Sequence, residues 1–350
     1  MAKKRIENIG EAVERMLAGD RRSAARLITA VEDQAENSTE IMKLVYPHSG
    51  NSTVIGLTGS GGSGKSSLID LLIRKFRVQG RRVGVVAVDP SSPFSGGALL
   101  GDRIRFQSHS IDDGVYIRSM GSRNCLGGLA RATNDVVRIM EAMGQDIVIV
   151  ETLGTGQDEI DIIHLARTCI LVLTPGMGDD IQAMKAGIME IADIIVLNKA
   201  DLDSAESCLR SLEATVHYGL GDGDKWVPRV IPTVAMAPTQ SELRGIDELV
   251  ETIEDHTNYL HESATLDQAR AGRVEQELAL VFKDEVEKSI FKGLKGTGKK
   301  RAYIRAILDG KTNPYEVVEE VLRAFLKVEY DQTFSQACSF HEPEYHTLSP

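Results

Sequence analysis

Closely spaced cysteines are missing from this sequence. Its four, Cys125, Cys169, Cys208 and Cys338, stand far apart, with no C-x-x-C pair and no Cys/His cluster. A disulfide framework or a structural zinc site needs such spacing, so neither is expected, and a reducing, cytoplasmic setting fits best. Long apolar runs are missing too. No stretch approaches the roughly 20 residues that span a bilayer, and the opening MAKKRIENIG has no apolar core of a secretory signal. Neither a membrane anchor nor export is expected. Positive charge is short as well: 40 Lys and Arg stand against 51 Asp and Glu, a formal net charge of -11. A general nucleic-acid binder carries a basic surface, so that class is disfavoured. A local basic pocket for a phosphorylated ligand is not excluded.

What the chain does contain falls into three zones: an N-terminal helical segment (1–50), a central domain (51–260), and a helical arm and tail (261–350). In the first, Leu27, Ile28 and Val31 recur at helical spacing and Asp20 stands where an N-cap would. YPHSGNST (46–53) then breaks the pattern and reads as a linker. The second zone alternates helical patterns with short Val/Ile-rich runs at 53–59, 82–89, 114–120, 146–152, 169–176, 193–201 and 229–236. Such nearly unbroken apolar runs belong to strands buried on both faces, as in a parallel sheet covered by helices. Ligand-binding groups then gather at the C-terminal ends of the strands. The third zone holds two charged, striped helical stretches, RVEQELALVFKDEVEKSIF and YEVVEEVLRAFLKV. The basic, Gly-rich KGLKGTGKKR between them is expected to be a mobile loop.

GLTGSGGSGKSSL (56–68) carries the chemistry. Gly59, Ser60, Gly61, Gly62, Ser63, Gly64, Lys65 and Ser66 follow the G-x-x-x-x-G-K-[ST] pattern of a phosphate-binding P-loop. Glycines let successive backbone N–H groups converge on phosphate oxygens, and a helix starting near Gly64 adds its positive end. Lys65 would reach the β- and γ-phosphates, and Ser66 would ligate Mg²⁺. Ser67 supplies a second hydroxyl. Leu68, Leu71, Leu72 and Phe76 give the following helix a stripe to bury. The predicted fold is therefore an α/β P-loop NTPase with a mainly parallel sheet covered by helices, N-terminal helices and a C-terminal helical arm.

Asn198-Lys199-Ala200-Asp201 ends another predicted strand and matches the NKxD guanine reader. The Asp201 carboxylate can accept from guanine N1–H and N2–H, which adenine does not offer at that edge; a site built to pair such donors discriminates strongly. Val234, Ala235 and Met236, one strand later, occupy the place of the loop that closes over the base. Asp89, Asp102 and Glu151 are candidate Mg²⁺ acids, each near a strand end or a Gly-rich loop. Glu151-x-x-Gly154 stands where many GTPases have Asp-x-x-Gly, so Gly154 would follow the γ-phosphate. No glutamine follows Gly154 directly; Gln157 comes three residues later, so intrinsic hydrolysis is expected to be slow, with water oriented by Asp102 or a partner. Arg103 and Arg105 are candidate charge stabilisers, and Lys185 is either a switch residue or a solvated helix lysine. His48, His109 and His164 show no ligand spacing. The chain between the P-loop and Glu151 has room for two strands, so another strand is expected to separate the Walker A and Walker B strands in the sheet.

GSGGSGKSS, VDPSSPFSGGALLGDRIR, ETLGTGQDEIDI, TPGMGDDIQAMKAGIMEIADIIVLNKAD and GDRRSAARLIT together resemble the methylmalonyl-CoA mutase-associated GTPases, the bacterial MeaB type and its mitochondrial counterpart. The resemblance covers about residues 10–330. It implies a homodimeric G-protein chaperone that uses GTP, GDP and Mg²⁺ to gate adenosylcobalamin loading, protection or rescue of a B12-dependent acyl-CoA mutase. It also implies that the third zone is a dimerisation arm. Two departures, the Ser-Gly-Gly and Lys-Ser-Ser wording of the P-loop and the Thr233–Met236 loop, leave the identity of the client mutase open. Three rival readings share parts of the pattern. A nickel-delivery maturation GTPase would bring Cys/His clusters. A nucleotide-binding interaction module with little turnover would not need intact Lys65, Ser66 and Asp201. A kinase using ATP would not need NKxD.

Overall fold

The structure, a computed structural model, describes residues 6, 8–89, 106–109, 111–121, 128–152, 166–176, 191–220, 226–262, 274–275, 277–283, 285–286, 288–290 and 298–332. It divides into two compact units, residues 1–277 and 278–350. The first opens with helices α1 (Ile9–Leu17), α2 (Arg21–Glu32) and α3 (Ser38–Val45). Asp20 caps α2: its carboxylate accepts from Arg22 N at 3.0 Å and Ser23 Oγ at 2.7 Å. Arg21 donates to Val115 O at 2.7 Å, which ties this helix to the sheet.

The sheet has seven strands: β1 (Thr53–Thr58), β2 (Val83–Asp89), β3 (Val115–Gly121), β4 (Ile147–Glu151), β5 (Thr168–Leu173), β6 (Ile194–Asn198) and β7 (Arg229–Thr233). Every pairing is parallel, in the order β3-β2-β4-β1-β5-β6-β7. Between them run α4 (Lys65–Val78), α5 (Gly128–Ala142), α6 (Ala205–Leu220) and, after β7, α7 (Ile246–Glu262). Successive strand residues alternate between two apolar layers. Val54, Val86, Val148 and Val150 join the buried face of α2 and α5. Ile55, Leu57, Ile149 and Val172 meet Leu68, Leu72 and Phe76 of α4 and Leu249 of α7. Both faces are covered, so the strands read as unbroken apolar runs. Leu71, expected in the buried stripe of α4, is instead half-buried and borders the cleft described below.

The expected strand between the Walker A and Walker B positions is not there. β1 pairs directly with β4, from Thr53↔Ile147 to Leu57↔Glu151. The two strands that intervene in the chain, β2 and β3, lie beyond β4 on its far side. Chain order allows a crossover to land on either side of β1, and the apolar pattern is the same for both.

The second unit contains α8 (Lys299–Leu308) and α9 (Pro314–Gln332). The expected loop at 292–301 ends earlier than its composition implies: Gly298 takes a left-handed conformation and Lys299 already starts α8. Residues 291–297 lie outside the described residues. Asn313 caps α9, accepting from Tyr315 N and Glu316 N at 3.0 Å each, with Pro314 at the first helical position. Ile304, Ile307, Val318 and Leu322 line an apolar groove of about 280 Å³ within this unit. No helix among the described residues is long and apolar enough to cross a membrane.

Candidate functional site

The loop between β1 and α4 is shaped by its glycines. Gly59 has φ +142°, and a Cβ there would lie 2.2 Å from Val172 O. Gly64 has φ +95°, and its Cβ would lie 2.2 Å from Asn198 Nδ2. Only glycine satisfies both the dihedral and the space. The loop then feeds the first turn of α4, whose free N–H groups and dipole face the cleft. Lys65 is buried at that turn, and its Nζ donates to Gly59 O at 2.6 Å and Ser60 O at 3.0 Å. Ser66 Oγ donates to Glu151 Oε1 at 2.7 Å. That contact follows from the direct β1–β4 pairing, which brings the end of β4 beside the start of α4. Ser63 Oγ is buried and meets no partner among the described residues.

On the other side, Asn198 is buried at the end of β6 and acts as a tie. Its Nδ2 donates to Ser63 O at 2.8 Å, and its Oδ1 accepts from Thr233 Oγ1 at 3.2 Å and Ala235 N at 3.1 Å. One side chain therefore joins the phosphate loop to the loop after β7. Lys199 sits at φ +58°, and Ala200 N donates to Thr233 O at 3.0 Å, so the turn carrying Asp201 is fixed against β7. Asp201 itself is exposed. Val234 and Ala235 are buried, whereas Met236 is 78% exposed.

A cleft of about 630 Å³ is bordered by Gly61, Gly62, Gly64–Ser67, Glu151, Ala235 and Met236. The expected residues Gly59–Ser67, Glu151, Asn198–Asp201 and Val234–Met236 thus gather at the C-terminal edge of the sheet. Asp89 ends β2 on the same edge, with its side chain outside the described set. Asp102, Arg103, Arg105, Gly154, Gln157 and Lys185 lie outside the described residues. Motif reading missed Asp70, which borders the same cleft. Its carboxylate meets His109 Nε2 at 2.7 Å and Arg74 Nη2 at 2.8 Å. The available signal was its spacing, one helical turn after Ser66.

Comparison with known proteins agrees with this geometry. The family model "Methylmalonyl Co-A mutase-associated GTPase MeaB" matches residues 24–295. This chain belongs to the MeaB GTPase family. A Pyrococcus abyssi protein named as a GTPase is 44% identical to this MeaB-family chain, over 91% of it and 97% of the relative. GTPase ArgK of Escherichia coli is 35% identical over 81% of this chain and 86% of ArgK. The mouse methylmalonic aciduria type A homolog, a mitochondrial protein, is 32% identical over 77% of this chain and 65% of the relative. Among solved structures, a LAO/AO transport system kinase aligns with a TM-score of 0.66 and 26% identity, covering 92% of this chain and 98% of the other. The fold of that kinase is therefore matched along nearly the whole chain, and the family model along residues 24–295.

Proposed function

We propose that this MeaB-family GTPase binds GTP and Mg²⁺ in the 630 Å³ cleft and couples hydrolysis to the loading, protection or rescue of a B12-dependent acyl-CoA mutase. The nucleotide and Mg²⁺ part of the reading rests on the Ser66–Glu151 contact beside a glycine-shaped loop and a buried lysine, and the mutase partner is supported by the family match. A hydroxyl and a carboxylate are the oxygen donors that a hard divalent cation takes. Ser66 and Glu151 would hold it, with Asp89 at the end of β2 and Asp102 proposed as further ligands. When bound, the ion neutralises charge developing on the phosphates.

Within that frame Gly59–Ser67 cradle the phosphates, and Lys65 moves from its loop carbonyls to the β- and γ-oxygens. Asp201 reads the guanine edge from the turn that Asn198 and Lys199 shape, and Val234–Met236 flank the base. Gly154 and Lys185 belong to the segments that respond to the γ-phosphate, and Asp102 orients water. The domain plan follows the sequence: N-terminal helices 1–50, GTPase domain 51–260 and arm 261–350. The apolar groove of the second unit and, separately, the exposed side chains of Leu308 and Tyr315, at 81% and 86% exposure, support a homodimer built through the arm; the cytoplasm is the setting proposed for it.

The test is GTP turnover of the purified protein with and without a candidate acyl-CoA mutase, together with co-purification from the native host. Faster turnover and association are expected. Equal turnover and no association with any B12 mutase would remove the chaperone reading while leaving the GTPase intact.

A further inference from the structure

Three glycines around the cleft would each place a Cβ 2.2 Å from another atom. Two of them, Gly59 and Gly64, belong to the phosphate loop. The third, Gly245, belongs to no motif. It has φ +74°, and a Cβ there would lie 2.2 Å from Pro232 O and 3.0 Å from Thr233 Cγ2. Pro232 and Thr233 end β7, immediately before Val234–Met236.

The chain between Thr233 and Gly245 forms a lobe closed at its own base. Val234 N donates to Arg244 O at 3.1 Å, and Arg244 N returns to Val234 O at 3.3 Å, an antiparallel bridge. Beyond it the chain reaches Met236 and turns back through residues 240–242. After Gly245, α7 starts at once and buries Ile246 and Leu249. The lobe's root is buried: Thr233 is fully enclosed, and Val234 and Ala235 are 5% and 6% exposed. Its tip is open, with Met236 at 78% exposure bordering the cleft. A side chain at 245 must push the Pro232 carbonyl, and with it the end of β7, before anything else yields.

We propose that Gly245 and Thr233 are positioning residues for purine recognition. Gly245 lets the lobe close beneath β7, Thr233 Oγ1 ties that root to Asn198, and together they set where Ala235 and Met236 meet the base. This rests on the base pocket described above. Neither residue touches nucleotide; each acts through the loop. Displacing a recognition loop by a fraction of an ångström weakens contacts that depend on its geometry and spares contacts made elsewhere.

Gly245→Ala, Thr233→Val and Asp201→Asn are to be titrated with GDP, IDP and XDP by calorimetry, with melting followed in parallel. Inosine lacks the 2-amino group that Asp201 accepts from, and the Asp201 turn is itself held on the end of β7 by Ala200 N donating to Thr233 O, so the GDP-to-IDP affinity ratio reports base reading rather than phosphate grip. Asp201→Asn is expected to shift preference toward XDP. Gly245→Ala is expected to weaken GDP about tenfold and narrow the GDP-to-IDP ratio. Thr233→Val, losing one hydrogen bond, should do the same by about threefold. If Asp201→Asn leaves base preference untouched, the pocket itself is misplaced and the proposal falls with it. If Asp201→Asn shifts preference while the other two keep the wild-type ratio, the positioning role is rejected and the pocket stands. Should Gly245→Ala fail to fold, Thr233→Val decides alone.

Discussion

At the C-terminal edge of the sheet, Lys65, Ser66 and Glu151 meet along the wall of an open cleft, with Asn198 buried and tied to the phosphate loop through Ser63 O. At the N-terminal edge, Thr168, Asp193 and His256 meet under a tryptophan. Thr168 Oγ1 lies 2.9 Å from His256 Nδ1, and His256 Nε2 lies 3.4 Å from Asp193 Oδ1. Trp226, the chain's one tryptophan, donates from Nε1 to Asp193 O at 2.8 Å, and its ring centroid is 4.7 Å from that of His256. Burial pushes His256 down to about 4. It also pushes Asp193 up to about 6, against the hydrogen bond from Cys169 N. Burial, reinforced by the Asp193 charge, raises the Cys169 thiol. These perturbed groups line no described ligand cleft. Perturbed titration is often read as a mark of function, but here it marks a brace. At the opposite edge strand ends and a helix start leave room for a ligand; at this one, aromatic rings fill the space. Changes at the cleft should therefore cost binding more than stability, and changes at the brace the reverse.

The largest effect is expected from Lys65→Ala. Losing a charged donor to phosphate should weaken GTP by about 100-fold, with melting of the nucleotide-free protein nearly unchanged. Calorimetry and thermal melting on the same sample check both halves. A collapse in melting with binding retained would invert the comparison.

Gly59→Ala probes the place where the two behaviours coincide. At φ +142° with Val172 O 2.2 Å from the new Cβ, the loop must shift off β5. A strained backbone position costs on the order of 1–3 kcal/mol, and the shifted loop should no longer hold triphosphate. Denaturant unfolding reads the first loss and nucleotide titration the second. Wild-type GTP affinity in a stable Gly59→Ala protein would show that the loop does not need its tight seat against β5.

Much of this contrast was half-legible in the sequence. Runs such as DIVIVET (146–152) became β4, Ile147–Glu151, because burial on both faces leaves no polar interruption. The P-loop and NKxD were legible because chemistry demands fixed residues at fixed spacing. Strand order was not, since a parallel crossover reads the same whichever side it lands on. The start of α8 was hidden behind basic, Gly-rich composition and depends on one left-handed Gly298. Gly245 was one glycine among 32. No spacing or motif marks it; its 2.2 Å approach to Pro232 O is visible only in the structure. The Asp193–His256 pair joins two residues with no shared motif, brought together only by the packing of α7 on β5 and β6.

Asp193→Asn should stabilise the protein. The folded carboxyl sits at about 6 against an ordinary 3.8. Its favourable contribution is therefore complete below the unfolded value and is lost as pH rises through about 6. At pH 7.5 the wild type carries an ionised, half-buried Asp193, whereas asparagine carries no charge and can still accept from Cys169 N. A gain of about 1–2 kcal/mol is expected at pH 7.5 after allowing for partial exposure. It should shrink toward zero near pH 4, with GTP affinity unchanged at neutral pH. Urea unfolding across that range measures it, and destabilisation at pH 7.5 would contradict the burial argument.

The smallest effect is expected from Tyr259→Phe. Tyr259 OH accepts from Trp226 N at 3.1 Å, and its ring centroid is 5.5 Å from that of Trp226. Phenylalanine keeps the ring contact and removes the hydroxyl that accepts from Trp226 N, so that N–H must find water. One such bond is worth about 0.5–1.5 kcal/mol, and partial exposure places the expected loss near the lower end. Trp226 reports the change directly, because no other tryptophan contributes to the emission. A shift in its spectrum with GTP turnover unaltered would keep the brace separate from the site at the far end of β6 and β7. Altered turnover would mean that the two edges communicate through those strands, since β7 carries Trp226 just before its start and the base loop just after its end.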